Sequence, residues 1–256
     1  MRSNNNKERK CWCLLLVFLS SFTFIVGCAP AYNPARGEQQ WIIFDREEEI
    51  AIGQRAAEEV RTKFEICEER SQYLARIGRK VAFASSNIAL PYSFEVIKEE
   101  KMNALALPGG PVFMTSGLFD ELDDDELAVV LGHEIAHITA RHGVERLQAH
   151  QLRQALLVGA IVSGGEVSRM AHFASTALLI VTMGYSQEEE LWTDRQGAKY
   201  AHRAGFDPWA KVRVLEMLRE EERQKGLSRG WLSTHPPTAE RIKSIREYLD
   251  SSEFNL

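Results

Sequence analysis

Hydrophobic positions along this chain fall into helical steps almost everywhere and into alternation over one short stretch. Between Asp123 and Gly143, positions Leu127, Val130, Leu131, Glu134 and Ile138 recur at three- and four-residue steps, as a helix requires. Asp123 with Glu126 forms a capping-box start, and Asp45 with Glu48 opens an earlier helix the same way, running to about Phe64. A second helix follows from Glu68, with Leu74, Ile77 and Val81 on one face. From Tyr92 the period drops to two: Tyr92, Phe94 and Val96 alternate with more polar neighbours, which predicts a half-buried strand. Asn103 to Leu107 and Val112 to Thr115 read as two further strands joined at Pro108-Gly109-Gly110. A helix from the acidic run at 188–190 continues to about Arg203 and stops at Gly205; the next starts at Asp207-Pro208 and runs to about Lys225. The last helix carries Arg241, Ile242, Ile245 and Leu249. Residues 155–165 and 170–184 are strongly apolar, yet neither run reaches the ~20 residues of a membrane span. They read as a buried helix or hairpin over a cleft, with a membrane-dipping hairpin as the alternative.

The first residues break this pattern. Arg2, Lys7, Arg9 and Lys10 precede an uncharged stretch, 11–26, which ends in Ile25-Val26-Gly27-Cys28. That order predicts a secretory signal over 1–27. It also resembles the bacterial lipobox, with Cys28 as the lipidated residue and an uncleaved signal anchor as the alternative. Residues 28–44 read as a tether and 45–256 as the folded domain. The signal holds four of the 31 Lys+Arg and one of the 36 Asp+Glu, so the remainder has 27 against 35, a net charge of −8. This excludes nucleic acid as a partner, since phosphate binding needs a basic face. Cys11 and Cys13 lie in the signal and Cys28 is lipidated, so Cys67 stands alone, a small buried hydrophobe, and no intrachain disulfide is expected.

Chemistry concentrates at His133-Glu134-Ile135-Ala136-His137. On a helix His133 and His137 lie about 40° apart, one turn above the other. Two imidazoles so placed can hold one Zn²⁺, at about 2.0–2.1 Å each. Glu134 projects about 100° away, beside the metal rather than on it, where a carboxylate can take a proton from a water attacking at the zinc. His142, about 140° round the same helix from His137, faces away and reads as a surface or helix-end histidine. Zinc still needs a third protein ligand and a position for water. The acidic run Glu188-Glu189-Glu190, followed by Asp194, can supply the ligand.

Several stretches, in order, carry a resemblance: NALALPGGPVFMTSGL, HEIAH, the segment from Tyr185 to Gly197, and Thr234-His235-Pro236-Pro237 with Arg241 behind it. From about Asp45 to Leu249 the chain resembles the HtpX/CAAX-prenyl-protease-like family of zinc peptidases, in its exported lipoprotein branch. Gln187 departs from the arginine common there, and Trp192-Thr193 from an acidic-Ala pair. The resemblance implies an α+β, mainly helical gluzincin-type domain: an active-site helix, a small sheet and a second helix carrying a Glu ligand. Of the three glutamates only Glu190 shares a face with Asp194 at four residues' spacing, and that face continues through Gly197, Ala198 and Ala201. The expected ligands are therefore His133, His137 and Glu190, with Asp194 accepting a hydrogen bond from a ligand or an arginine behind them. Glu134, His235 and Arg241 complete the catalytic group. His235, on a loop stiffened by two prolines, either donates to the oxyanion or caps the zinc. Peptidases of this kind bind extended substrates at a sheet edge, and Asn103, Ala104, Leu105 and Ala106 form the candidate edge.

The resemblance further implies one Zn²⁺ per chain and endopeptidase activity on unfolded or misassembled exported proteins. The expected location is a membrane surface: the periplasmic side of an outer membrane, or the outer face of the cytoplasmic membrane where no outer membrane exists. The competing reading is a chaperone-like or scaffolding lipoprotein whose zinc is structural and closed by His235. Glu134 discriminates between them, because a structural site has no use for it.

Overall fold

The computed structural model describes residues 30–87, 89–162, 184–225, 234–236 and 238–254. The signal, Cys28 and most of the two apolar runs lie outside them. Among the described residues no helix is long and apolar enough to cross a membrane. The chain divides into two compact units, one ending at Ile43 and one spanning Phe44–Leu256.

The first unit holds a small hairpin within the stretch read as a tether. Strands β1 (Ala31–Asn33) and β2 (Glu38–Gln40) form an antiparallel hairpin. Its turn uses Gly37 at φ 70°, a conformation glycine adopts without penalty. Asn33 Nδ2 donates to Gln40 Oε1 at 2.8 Å across the pair, with both side chains buried.

In the second unit α1 (Arg46–Lys63) and α2 (Glu68–Phe83) lead into β3 (Ser93–Ile97). The capping box of Asp45 and Glu48 is formed as expected. Cys67 is free and half-buried at the N-cap of α2, its N–H donating to Val96 O at 2.8 Å. Strands β4 (Ala104–Ala106) and β5 (Pro111–Thr115) form the expected hairpin. The sheet order is β3-β5-β4, with β3 parallel and β4 antiparallel to β5, so β4 is an edge strand.

After the short α3 (Ser116–Phe119) comes the central helix α4 (Asp124–Ala140), started by the Asp123/Glu126 capping box. Every residue from Leu127 to Ala140 is buried. The expected amphipathic helix is thus covered all round, as its apolar composition on every face demands. Helices α5 (His142–Val162), α6 (Gln187–Arg203), α7 (Ala210–Lys225) and α8 (Ala239–Asp250) follow. Helix α4 packs against α2, β4, α6 and α7, while α8 packs on α6 and α7.

The α4–α6 crossing depends on two glycines. A Cβ on Gly197 would lie 2.6 Å from the backbone N of His133, and one on Gly132 would lie 2.4 Å from the carbonyl of Gly197. Ala201 joins the same core, whereas Ala198 packs with Val212, Leu215 and Ile245 toward α7 and α8. The small-residue face is therefore shared between two neighbours. Gly197→Ala must push backbone against backbone, and overpacking of this kind costs about 1–3 kcal/mol or more. A lowered urea midpoint is the expected result; an unchanged midpoint would show that the helices separate without cost.

Candidate active site

Four donor atoms from three segments converge at the centre. His133 and His137 come from α4, Glu190 from the first turn of α6 and His235 from the loop before α8. None of these residues, nor Glu134, exposes more than 3% of its surface. His133 Nε2 and His137 Nε2 are 3.2 Å apart, and His235 Nδ1 is 3.2 Å from His133 Nε2. Glu190 brings Oε2 to 3.5 Å from His133 Nε2, Oε1 to 3.4 Å from His137 Nε2 and Oε1 to 2.7 Å from His235 Nδ1. A tetrahedron of ligands about 2.0–2.1 Å from Zn²⁺ has edges of roughly 3.3–3.4 Å. The 3.2–3.5 Å separations around His133 and His137 match those edges, while the 2.7 Å His235–Glu190 contact is a shorter hydrogen bond, and the donor set fits one zinc ion.

Behind the donors lies a buried ionic lattice. Asp194, one turn after Glu190, has Oδ1 3.0 Å from His133 Nδ1. Arg241 grips the same carboxylate with Nε on Oδ2 at 2.8 Å and Nη2 on Oδ1 at 2.7 Å. Its Nη1 reaches Glu190 Oε2 at 2.7 Å and the carbonyl of Pro236 at 3.1 Å. Lys211 Nζ is 2.8 Å from Asp194 Oδ1. Burial alone would raise both acids, but Arg241 and Lys211 hold Asp194 well below the carboxylate range, and His235, Arg241 and His133 do the same for Glu190. Burial pushes the Lys211 ammonium down and Asp194 opposes it. Burial likewise holds His137 well below the usual imidazole value, against the pull of Glu190. A neutral imidazole keeps a lone pair for a metal.

The sequence-derived residues His133, Glu134, His137, Glu190, Asp194, His235 and Arg241 are thus brought together. Glu134 Oε1 lies 4.0 Å from His235 Nε2. Arg241 turns its donors to Asp194, Glu190 and Pro236 O, so its contacts are with the residues holding the site. Of Asn103 to Ala106, the last three form the edge strand β4, which packs on α4. Cys28 lies outside the described residues.

One expectation is corrected. His142 is buried, with Nδ1 2.8 Å from His137 Nδ1. Helix α4 ends at Ala140, and Arg141 at φ 64° reverses the chain, so the angular count past His137 does not apply. Glu189 is half-buried: it closes the Ser186 capping box and pairs with Arg146 at 2.7 Å. Glu188 is exposed as expected.

Lys211, Tyr185 and Gly132 escaped the sequence reading. Lys211 lies in the run Ala210 to Leu215, which also carries the partly exposed Arg213, so the sequence does not single it out as the buried cation. Tyr185 stacks on His137 at a 3.7 Å centroid separation, under the Arg146 guanidinium at 3.8 Å.

A helix presenting His-Glu-x-x-His, a glutamate from a second helix and a sheet edge alongside together define a metallopeptidase domain of the gluzincin type. Residues 68–249 match the model of peptidase family M48, and the chain belongs to that family. It is 30% identical over 182 residues to the mitochondrial metalloendopeptidase OMA1 of Schizosaccharomyces pombe, covering 71% of this chain and 53% of that protein. It is 31% identical over 186 residues to the beta-barrel assembly-enhancing protease of Escherichia coli, covering 69% and 38%. Identity to the metalloprotease LoiP of Escherichia coli is 25% over 246 residues, covering 93% of this chain and 96% of that one. The chain therefore spans about half or less of the first two relatives.

Proposed function

We propose that this protein is a zinc-dependent endopeptidase that cleaves unfolded or misassembled exported proteins at a membrane surface. The observation that carries the proposal is the convergence of His133, His137, Glu190 and His235, with buried Glu134 beside them. His133, His137 and Glu190 hold the zinc. Bound there, zinc supplies a Lewis acid that polarises the scissile carbonyl and acidifies water. Glu134 takes the proton of the attacking water and returns it to the leaving amine. Asp194 orients His133, and Arg241 positions Asp194 and Glu190. An extended substrate adds to the free edge of β4, at Asn103 to Ala106, which brings its backbone alongside α4.

His235 supports a resting state. Four protein donors close a zinc site, and water needs one corner. His235 Nδ1 stands at that corner, within 3.2 Å of His133 Nε2 and 2.7 Å of Glu190 Oε1. The cap reading of His235 is therefore favoured over the oxyanion donor, and substrate displaces it. His235→Ala is expected to speed hydrolysis of an unfolded protein. A fall, on the order of 10²–10³ if it supplies an oxyanion hydrogen bond, would instead make it a donor.

The order basic–apolar–Ile25-Val26-Gly27-Cys28 supports a cleaved signal over 1–27, a lipid on Cys28 and an exported domain over 45–256. The name of one relative, a beta-barrel assembly-enhancing protease, supports outer-membrane precursors as a substrate class. The deciding experiment is incubation of the zinc-loaded protein with an unfolded outer-membrane barrel precursor and, separately, with the folded barrel. Cleavage of the unfolded chain alone, stopped by a chelator and restored by Zn²⁺, is expected. Zinc bound without cleavage of either would leave the structural-zinc scaffold as the better account.

A further inference from the structure

We propose that His142 is a positioning residue that sets the tautomer of His137 through a direct imidazole–imidazole hydrogen bond. The inference rests on the zinc reading of the site. His137 directs Nε2 at His133 Nε2, 3.2 Å away, and at Glu190 Oε1, 3.4 Å away. A ligand at that nitrogen needs its lone pair there, so the one proton of the neutral ring sits on Nδ1. His137 Nδ1 faces His142 Nδ1 at 2.8 Å, and both rings are buried. His137 therefore donates and His142 accepts, which places the His142 proton on its Nε2.

The two zinc histidines are thus oriented by unlike partners. His133 Nδ1 meets the carboxylate of Asp194, whereas His137 Nδ1 meets the imidazole of His142. A carboxylate partner raises the basicity of a ligand imidazole, and a neutral acceptor does so less. His133 is therefore the stronger donor of the pair.

The backbone is bent to make this contact. Arg141 closes α4 in the left-handed region, which non-glycine residues rarely adopt. Its guanidinium is fixed by Glu49 Oε2 at 2.8 Å and the carbonyl of Phe44 at 3.0 Å. That anchor turns the chain so that His142 folds back on His137 instead of continuing outward. The rings of Trp192, 5.9 Å away, and Tyr185, 6.1 Å away, flank His142 and hold its plane.

Two measurements test the proposal. In zinc-loaded wild type, long-range proton–nitrogen NMR is expected to show His137 protonated at Nδ1 and His142 protonated only at Nε2. A proton on His142 Nδ1 would overturn the inference. By chelator competition, His142→Leu is expected to weaken zinc binding about 10–100-fold, as loss of an orienting partner does. His142→Asn, whose side-chain oxygen replaces the accepting nitrogen, is expected to restore binding to within a few-fold of wild type. No loss in the Leu form, or equal loss in both, would refute the positioning role. If the Leu form does not fold, the Asn form and the wild-type spectrum still decide. Failure of wild type to bind zinc would instead remove the metal reading beneath it.

Discussion

Glu134→Gln is expected to keep its zinc and lose hydrolysis of an unfolded protein by on the order of 10²–10⁴, the usual contribution of a positioned general base. The carboxylate is buried beside the donor cluster and is not one of the four convergent atoms. The amide fills the same volume, so the fold and the metal site survive the change. What disappears is the ability to accept a proton. Metal analysis and a digestion assay on the same preparation check both halves. Equal zinc with undiminished cleavage would assign the base elsewhere, and loss of zinc would make Glu134 part of the metal cradle.

Glu190→Ala is expected to strip the zinc and with it the activity. The carboxylate touches both α4 histidines, His235 and Arg241, so its removal takes away a ligand and leaves a buried cation short of one partner. The fall in zinc affinity should exceed the about 10–100-fold that follows loss of an orienting residue. Its neighbour supplies the control. Glu189→Ala loses the capping box of α6 and the pair with Arg146 but no convergent donor. The Ser186 cap on the backbone N–H of residue 189 survives, so the expected loss of stability is small, with zinc retained at stoichiometry. If Glu189→Ala lost the metal and Glu190→Ala kept it, the register of α6 at the site would be wrong.

The parts of the site legible in the sequence are those governed by short-range periodicity. The His133–His137 step, the Glu190–Asp194 step, both acidic capping boxes and the Pro108-Gly109-Gly110 hairpin follow from local geometry, and the structure contains them. His235 and Arg241 were found through motif order, which stands in for contacts that sequence does not display. Illegible were features needing a backbone exception or a distant partner. A positive φ at arginine has no residue signature, so His142 was extrapolated along a helix that had already ended. Lys211 is buried because Asp194, on another helix, compensates its charge. The edge position of β4 required the sheet order, which alternation within single strands does not encode.

The carboxylate of Asp194 is met by α4 through His133, by α7 through Lys211 and by α8 through Arg241, while α6 carries it. Without its cations this acid would be stranded in the interior, and breaking such a buried pair costs about 3–5 kcal/mol. It follows that the order in which the chain is made matters to its chemistry. A nascent polypeptide presents the HEIAH segment long before Lys211 and Arg241 have left the ribosome. Until the last helix docks, the Asp194 carboxylate lacks the Arg241 grip that holds it against His133. The donor cluster is therefore assembled only when the C-terminal end of the chain arrives.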